Sequence, residues 1–258
     1  MTTSTSQTFE PDGRAIPFSE EGEGPLVVLL PARGLSIASL GTLSHVLEEE
    51  GFRILRVGYR RPVADAALTM HDLAQDVVDL LTELNVSTTW VGGHAFGGAV
   101  ARTVALDHPD RVEGLVLLGV EGAEPVDETA ARALQSALSD VDETASDEVI
   151  RLVAGPSVDP GFARRALSRN RDLAVEPMLS AALAATPGAE WSSLAPRIPV
   201  AIIQGSDDAI AVPANGERLR ASAPERASLA TIAGGGYLFV LTHPGEIGAE
   251  IEDYLGWD

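Results

Sequence analysis

No cysteine occurs in the sequence, which excludes disulfides, thiolate metal sites and a cysteine nucleophile. The absence fits a reducing cytoplasm without requiring one. Basic residues are scarce: 18 Lys and Arg stand against 38 Asp and Glu, a formal charge of -20 with a pI near 4.5. Nucleic-acid binding rests on phosphate neutralisation by clustered Lys and Arg, so a nucleic-acid partner is not expected. An anionic membrane surface is disfavoured for the same reason. The acidity reads as a solvated surface. No apolar run is long enough to span a bilayer. The first ten residues are polar and lack a basic start followed by an apolar stretch, so no secretory signal is expected and the expected location is the cytoplasm.

What is present is an ordinary globular core. The 258 residues are 45% hydrophobic, enough for one large domain or one domain with an inserted subdomain. Residues 8–23 suggest a short hairpin, with turns at Asp12-Gly13 and again at Gly22-Glu23-Gly24. Buried-strand patterns follow at 26–30, 52–57, 88–91, 112–118, 199–204 and 227–232. Helical spacing occupies 40–51, 72–84, 96–106, 216–222 and 245–254. Strand and helix alternate, which predicts a mostly parallel sheet with helices on both faces. The alternation breaks at 122–194, an Ala-rich, charged stretch that reads as three to five short helices without a strand. The expected division is therefore a core of 8–121 and 195–258 with a helical cap of 122–194.

The most informative stretch is Gly93-His94-Ala95-Phe96-Gly97-Gly98, placed between a strand and a helix. Small neighbours around a sharp strand-to-helix turn form the pattern of a nucleophile elbow, but the reactive slot holds a methyl group. A methyl group cannot attack a carbonyl, accept a proton or carry an acyl group.

The layout resembles the α/β-hydrolase fold over nearly the whole chain. The resemblance rests on Pro11-Asp12-Gly13-Arg14, on the elbow, and on His108-Pro109-Asp110-Arg111-Val112. It continues in Gly205-Ser206-Asp207-Asp208 with Pro213, and in Ile232-Ala233-Gly234-Gly235-Gly236-Tyr237 through His243-Pro244. It implies Ala95 at the nucleophile position, Asp208 as the acid and Tyr237 where the family carries histidine. The oxyanion loop holds Pro31-Ala32-Arg33-Gly34 where the family has an H-G dipeptide. The resemblance implies an oxyanion hole from the backbone N–H groups of Phe96 and Arg33. Departures in three separate segments favour natural divergence over an engineered serine knockout.

The remaining groups limit the chemistry. Asp208 reads either as a desolvated general base or as a turn residue bonding its own backbone. Tyr237 reads as a hydrogen-bond donor or general acid, or as an aromatic that fills the imidazole's place and bonds Asp208. Arg33 is read as a ligand for a carboxylate or enolate, or as solvent-facing. Arg60 and Arg61 are read as rim residues, either attracting an anionic ligand or, the favoured reading, holding a surface role. Among the five histidines, only His94, beside the elbow, is kept for a catalytic or ligand-contact role. No metal site is evident, and Gly234-Gly235-Gly236 precedes an apolar segment rather than a phosphate-binding helix, so no cofactor is expected. The expected function is an atypical, non-hydrolytic step on an apolar small molecule, of lyase, isomerase or cyclase type. The alternatives are a catalytically silent binding protein and a hydrolase that activates water. Substrate and oligomeric state are not readable.

Overall fold

The computed structural model describes residues 6–62, 67–139 and 145–256. Eight strands form one sheet: β1 (Gln7–Phe9), β2 (Ile16–Glu21), β3 (Leu26–Leu30), β4 (Arg53–Val57), β5 (Thr89–Ala95), β6 (Val112–Val120), β7 (Val200–Gly205) and β8 (Ala227–Ile232). Their order is β1-β2-β4-β3-β5-β6-β7-β8. Only the β1–β2 and β2–β4 pairs are antiparallel. The central register runs Val28 to Val91 to Leu115 to Val200, a row of apolar residues buried on both faces. Parallel strands need both faces covered, which is why these segments read as continuous apolar runs.

The helices that cover the sheet are α1 (Gly41–Glu49), α2 (Met70–Glu83), α3 (Phe96–Asp107), α8 (Pro213–Ser222), the short α9 (Phe239–Thr242) and α10 (Pro244–Leu255). One apolar cluster joins α2 and α3 to the sheet and another joins α1 and α10 to it. Between β6 and β7 lie α4 (Glu128–Ser139), α5 (Asp147–Ala154), α6 (Pro160–Asn170) and α7 (Glu176–Ala185), with no strand among the described residues. The packing of these helices explains their alanine bias. Ala130, Ala133, Ala137, Ala154 and Ala163 form a cluster with Ala95, Leu35 and Tyr237 at the C-terminal end of the sheet. Small side chains let short helices approach one another and the strand ends closely.

One part of the hairpin expectation requires correction. β1 and β2 do pair around Pro11–Gly13. The turn at Gly22-Glu23-Gly24, however, joins β2 to β3, and β4 lies between them in the sheet. Among the described residues no helix is long and apolar enough to cross a membrane.

Candidate active site

The elbow forms where β5 runs directly into α3. Ala95 has φ 46° and ψ −106°, a left-handed region that a side chain enters only with strain, on the order of 1–3 kcal/mol. The turn presses against the end of β3. A Cβ on Gly93 would lie 2.4 Å from the Leu30 carbonyl oxygen and one on Gly97 would lie 2.2 Å from it, so no larger residue fits. The β5–β6 register slips between His94 and Ala95, where the strand bends into the turn. Phe96 is the first residue of α3, so its N–H has no partner within the helix. Its ring is buried, and Tyr59 meets it edge-on at 5.6 Å.

Asp208 follows β7 and is 3% exposed. Its Oδ1 accepts from the N–H groups of Ile210 and Ala211, both at 2.8 Å. Both of its possible roles are therefore compatible with its geometry: one oxygen closes a turn, and the buried Oδ2 has no partner among the described residues. Burial pushes the carboxyl up to about 7, with Glu121 adding to the rise and the two backbone N–H groups opposing it.

Tyr237 is 3% exposed and does not bond Asp208, whose free oxygen faces no donor. Burial pushes its phenol well above the usual range, so the hydroxyl stays protonated and is a donor. His94 packs its ring 4.8 Å from Tyr237 and 6.0 Å from Phe239. It is fully buried, and neither ring nitrogen has a hydrogen-bond partner in good geometry. Burial lowers the imidazole to about 4, against a smaller pull from the Tyr237 backbone, so it is neutral at pH 7.

A cavity of about 460 Å³ lies between the strand ends and the helical segment. Arg33, Glu121 and Tyr237 line its sheet side, and Leu134, Gln135, Leu138, Ser139 and Glu176 line its helical side. Of the residues singled out from sequence, Arg33 and Tyr237 reach the cavity. Ala95, Phe96, His94 and Asp208 do not. Asp208 lies just behind its wall: Ile210, whose N–H it holds, is a lining residue.

The Arg33 guanidinium is partly exposed but not free. It donates to Glu121 at 3.0 Å and to the Ser180 hydroxyl at 2.9 Å, and it lies over the Phe96 ring at 5.6 Å. Glu121 and Glu176 are site residues not singled out from sequence, and Glu121 left the clearer trace. Its available signal was position, directly after the apolar strand β6 at the carboxyl edge of a parallel sheet, where ligands bind in such folds. Arg102, buried in α3, donates to the Glu121 and Ser192 carbonyls at 2.7 Å each and holds that strand end in place. Arg60 and Arg61 are not free for an anionic ligand. Arg60 bonds Asp76 at 2.6 Å and Arg61 bonds Asp172 at 2.7 Å.

The chain belongs to the alpha/beta hydrolase fold family, whose family model matches residues 57–244. It is 27% identical over 154 residues to the 2-hydroxymuconate semialdehyde hydrolase of Pseudomonas sp. (strain CF600), covering 55% of this chain and 53% of that one. It is 35% identical over 104 residues to epoxide hydrolase B of Mycobacterium tuberculosis, covering 38% of this chain and 29% of that one. The chain thus matches about half the length of the first relative and under a third of the second. The enol-lactonase from Burkholderia xenovorans LB400 shares the fold with a TM-score of 0.78 at 18% identity, over 97% of this chain and all of that one.

These comparisons correct the functional expectation. The relatives are enzymes and are named hydrolases, so the lyase, isomerase or cyclase reading does not stand. The absence of a serine at the elbow had favoured non-hydrolytic chemistry, but it removes one route to hydrolysis and leaves hydrolysis itself open.

Proposed function

We propose that this chain is a hydrolase that adds water directly to a small, largely apolar substrate held in the 460 Å³ cavity under a helical cap formed by residues 122–194. Ala95 stands at the family's nucleophile position and Tyr237 at its histidine position, so no acyl-enzyme forms and no imidazole relays a proton. The observation that carries the reading is the Asp208 carboxyl. It is buried, its Oδ2 has no partner among the described residues, and burial pushes the carboxyl up to about 7, a value suited to a general base. A water that reaches Oδ2 past the wall residue Ile210 gives its proton to the carboxylate as the water oxygen bonds the electrophilic carbon. The electron pair moves onto the substrate oxygen, from the C=O π bond of an ester or the ring C–O bond of an epoxide. In an ester the carbonyl then re-forms and the C–O bond to the leaving group breaks. The proton held on Asp208 passes to the departing alkoxide or the opened ring oxygen, which restores the carboxylate. The Tyr237 hydroxyl, at the cavity wall, donates a hydrogen bond to the oxygen that gains charge.

The test uses the wild-type protein with a panel of nitrophenyl esters and a small aryl epoxide. Turnover should rise with pH through about 7 as Asp208 ionises. It should show no pre-steady-state burst and leave no fluorophosphonate adduct. Asp208→Asn should lower kcat by roughly 10²–10⁴-fold, the usual range for a lost general base. A covalent adduct, turnover that survives Asp208→Asn, or no turnover across the panel overturns the proposal.

A further inference from the structure

The cavity carries a charge pattern that bears on which substrate it takes, and this inference rests on the hydrolase reading above. Among the described residues its charged lining residues are Arg33, Glu121 and Glu176, one cation and two anions. They form a single chain. Glu121 accepts from Arg33 at 3.0 Å, Arg33 donates to the Ser180 hydroxyl at 2.9 Å, and that hydroxyl donates to Glu176 at 2.6 Å. Among the described residues the one lining cation is therefore already paired with a carboxylate on the sheet side. Glu176, on α7, receives a neutral hydroxyl and has no cationic partner among the described residues.

A carboxylate ligand would have to displace Glu121 from Arg33 and would still face Glu176. An ammonium group meets the opposite situation, with an uncompensated carboxylate at the wall and an overall charge of -20 behind it. The rest of the lining suits an apolar body, since Val126, Ala131, Leu134, Leu138 and Ile210 face the same space. A second, independent feature marks the cavity as a ligand site. Tyr237 is 3% exposed, lines the cavity, and its hydroxyl has no hydrogen-bond partner among the described residues.

We infer that the cavity selects an apolar small molecule carrying a protonated amine, with Glu176 as the group that recognises the amine and Arg33 withheld from anions by Glu121. The consequence is discrimination by charge at equal shape. The test is calorimetric titration with three molecules of one shape, 4-phenylbutylamine, 4-phenylbutanol and 4-phenylbutyrate, at pH 7.5. The amine should bind about tenfold or more tighter than the carboxylate, with the alcohol between them. Glu176→Gln should remove most of the amine's advantage over the alcohol and leave the alcohol's affinity within about twofold. Glu121→Gln should improve the carboxylate, because it frees Arg33.

Equal or tighter binding of the carboxylate, no binding of any of the three, or an amine preference untouched by Glu176→Gln overturns the inference. The titrations are repeated in Asp208→Asn. A charge preference kept there while turnover is lost supports both readings. A preference kept while wild-type turnover is absent retains this inference and removes the hydrolase reading. Turnover that requires Asp208 together with a carboxylate preference removes this inference alone.

Discussion

Two aspartates in this fold are equally buried, at 3% exposure each, and differ in their company. Asp76, on α2, accepts from Arg14 at 2.7 Å and from Arg60 at 2.6 Å, so two guanidiniums surround one carboxylate. It clamps the segment after β1 and the segment after β4 onto one helix. Among the described residues Asp208 has backbone N–H groups on one oxygen and no hydrogen-bond partner on the other. Burial lifts both carboxyls, but only at Asp76 do cations pull against the rise. The first aspartate is a fixed charge that orders structure. The second retains a proton affinity near neutral pH, which is useful for chemistry and costly for stability.

Removing the carboxylate should therefore have opposite effects at the two positions. The larger effect is expected at Asp76. Asp76→Asn leaves Arg60 with only the Asp72 carbonyl, while Arg14 keeps Asp79 at 2.7 Å. Breaking a buried pair on one side typically costs about 3–5 kcal/mol, and the partial exposure of both arginines places the expectation at about 3 kcal/mol. Urea unfolding measures it, and a loss under about 1 kcal/mol would mean that the clamp is ornamental.

Asp208→Asn should instead stabilise the protein at pH 8. The folded state holds the Asp208 proton more tightly than the unfolded chain does, so its contribution is favourable at low pH and is lost as pH rises from about 4 to about 7. Above that window the penalty is on the order of 4 kcal/mol. Asn would keep the two backbone hydrogen bonds but bury an amide without an acceptor, which returns roughly 1–3 kcal/mol. The net gain at pH 8 should be about 1–3 kcal/mol, shrinking toward pH 4, as read by thermal unfolding across pH. A variant less stable than wild type at pH 8 would show that Asp208 is not stored as an unpaired charge.

His94 sharpens the same contrast. Its folded value of about 4 lies below the unfolded 6.5, so its stabilisation is full above pH 6.5 and is lost as pH falls toward 4. Over that interval its slope opposes that of Asp208, and the two should nearly cancel in the wild type. Asp208→Asn should unmask His94, with stability falling on acidification by up to about 1.4 kcal/mol per pH unit. A flat profile in the variant would show that the imidazole is not held neutral by burial.

The contrast also shows how much the sequence could reveal. The sheet was legible because parallel strands buried on both faces leave continuous apolar runs, and the elbow because Gly93 and Gly97 are forced by the Leu30 carbonyl. The placement of β2 beside β4 was not legible, since pairing across an intervening connection leaves no local mark on the Gly22-Glu23-Gly24 turn. Asp208 and Tyr237 stood out because they sit in recognisable segments. Glu121 did not, because a single acid after an apolar strand acquires meaning only from Arg33, 88 positions away. Glu176 and Ser180 belong to one helix, α7, whose alanine-rich sequence carries no pattern for the cavity that Glu176 lines.

The smallest expected effect concerns Ala95 and needs a control to be read. Ala95→Gly removes a buried methyl and adds unfolded-state freedom, which together cost about 1.5–2 kcal/mol at an ordinary position. Ala99, fully buried in α3 with no strained backbone, is that ordinary position, and Ala99→Gly should show the full cost. At Ala95 the same losses are offset by release of the left-handed backbone strain, on the order of 1–3 kcal/mol, so the net change should lie near zero. The difference between the two variants in chemical unfolding then measures the strain held at the elbow. If Ala95→Gly costs as much as Ala99→Gly, the turn is relaxed with alanine in place and the surrounding packing holds no strain there.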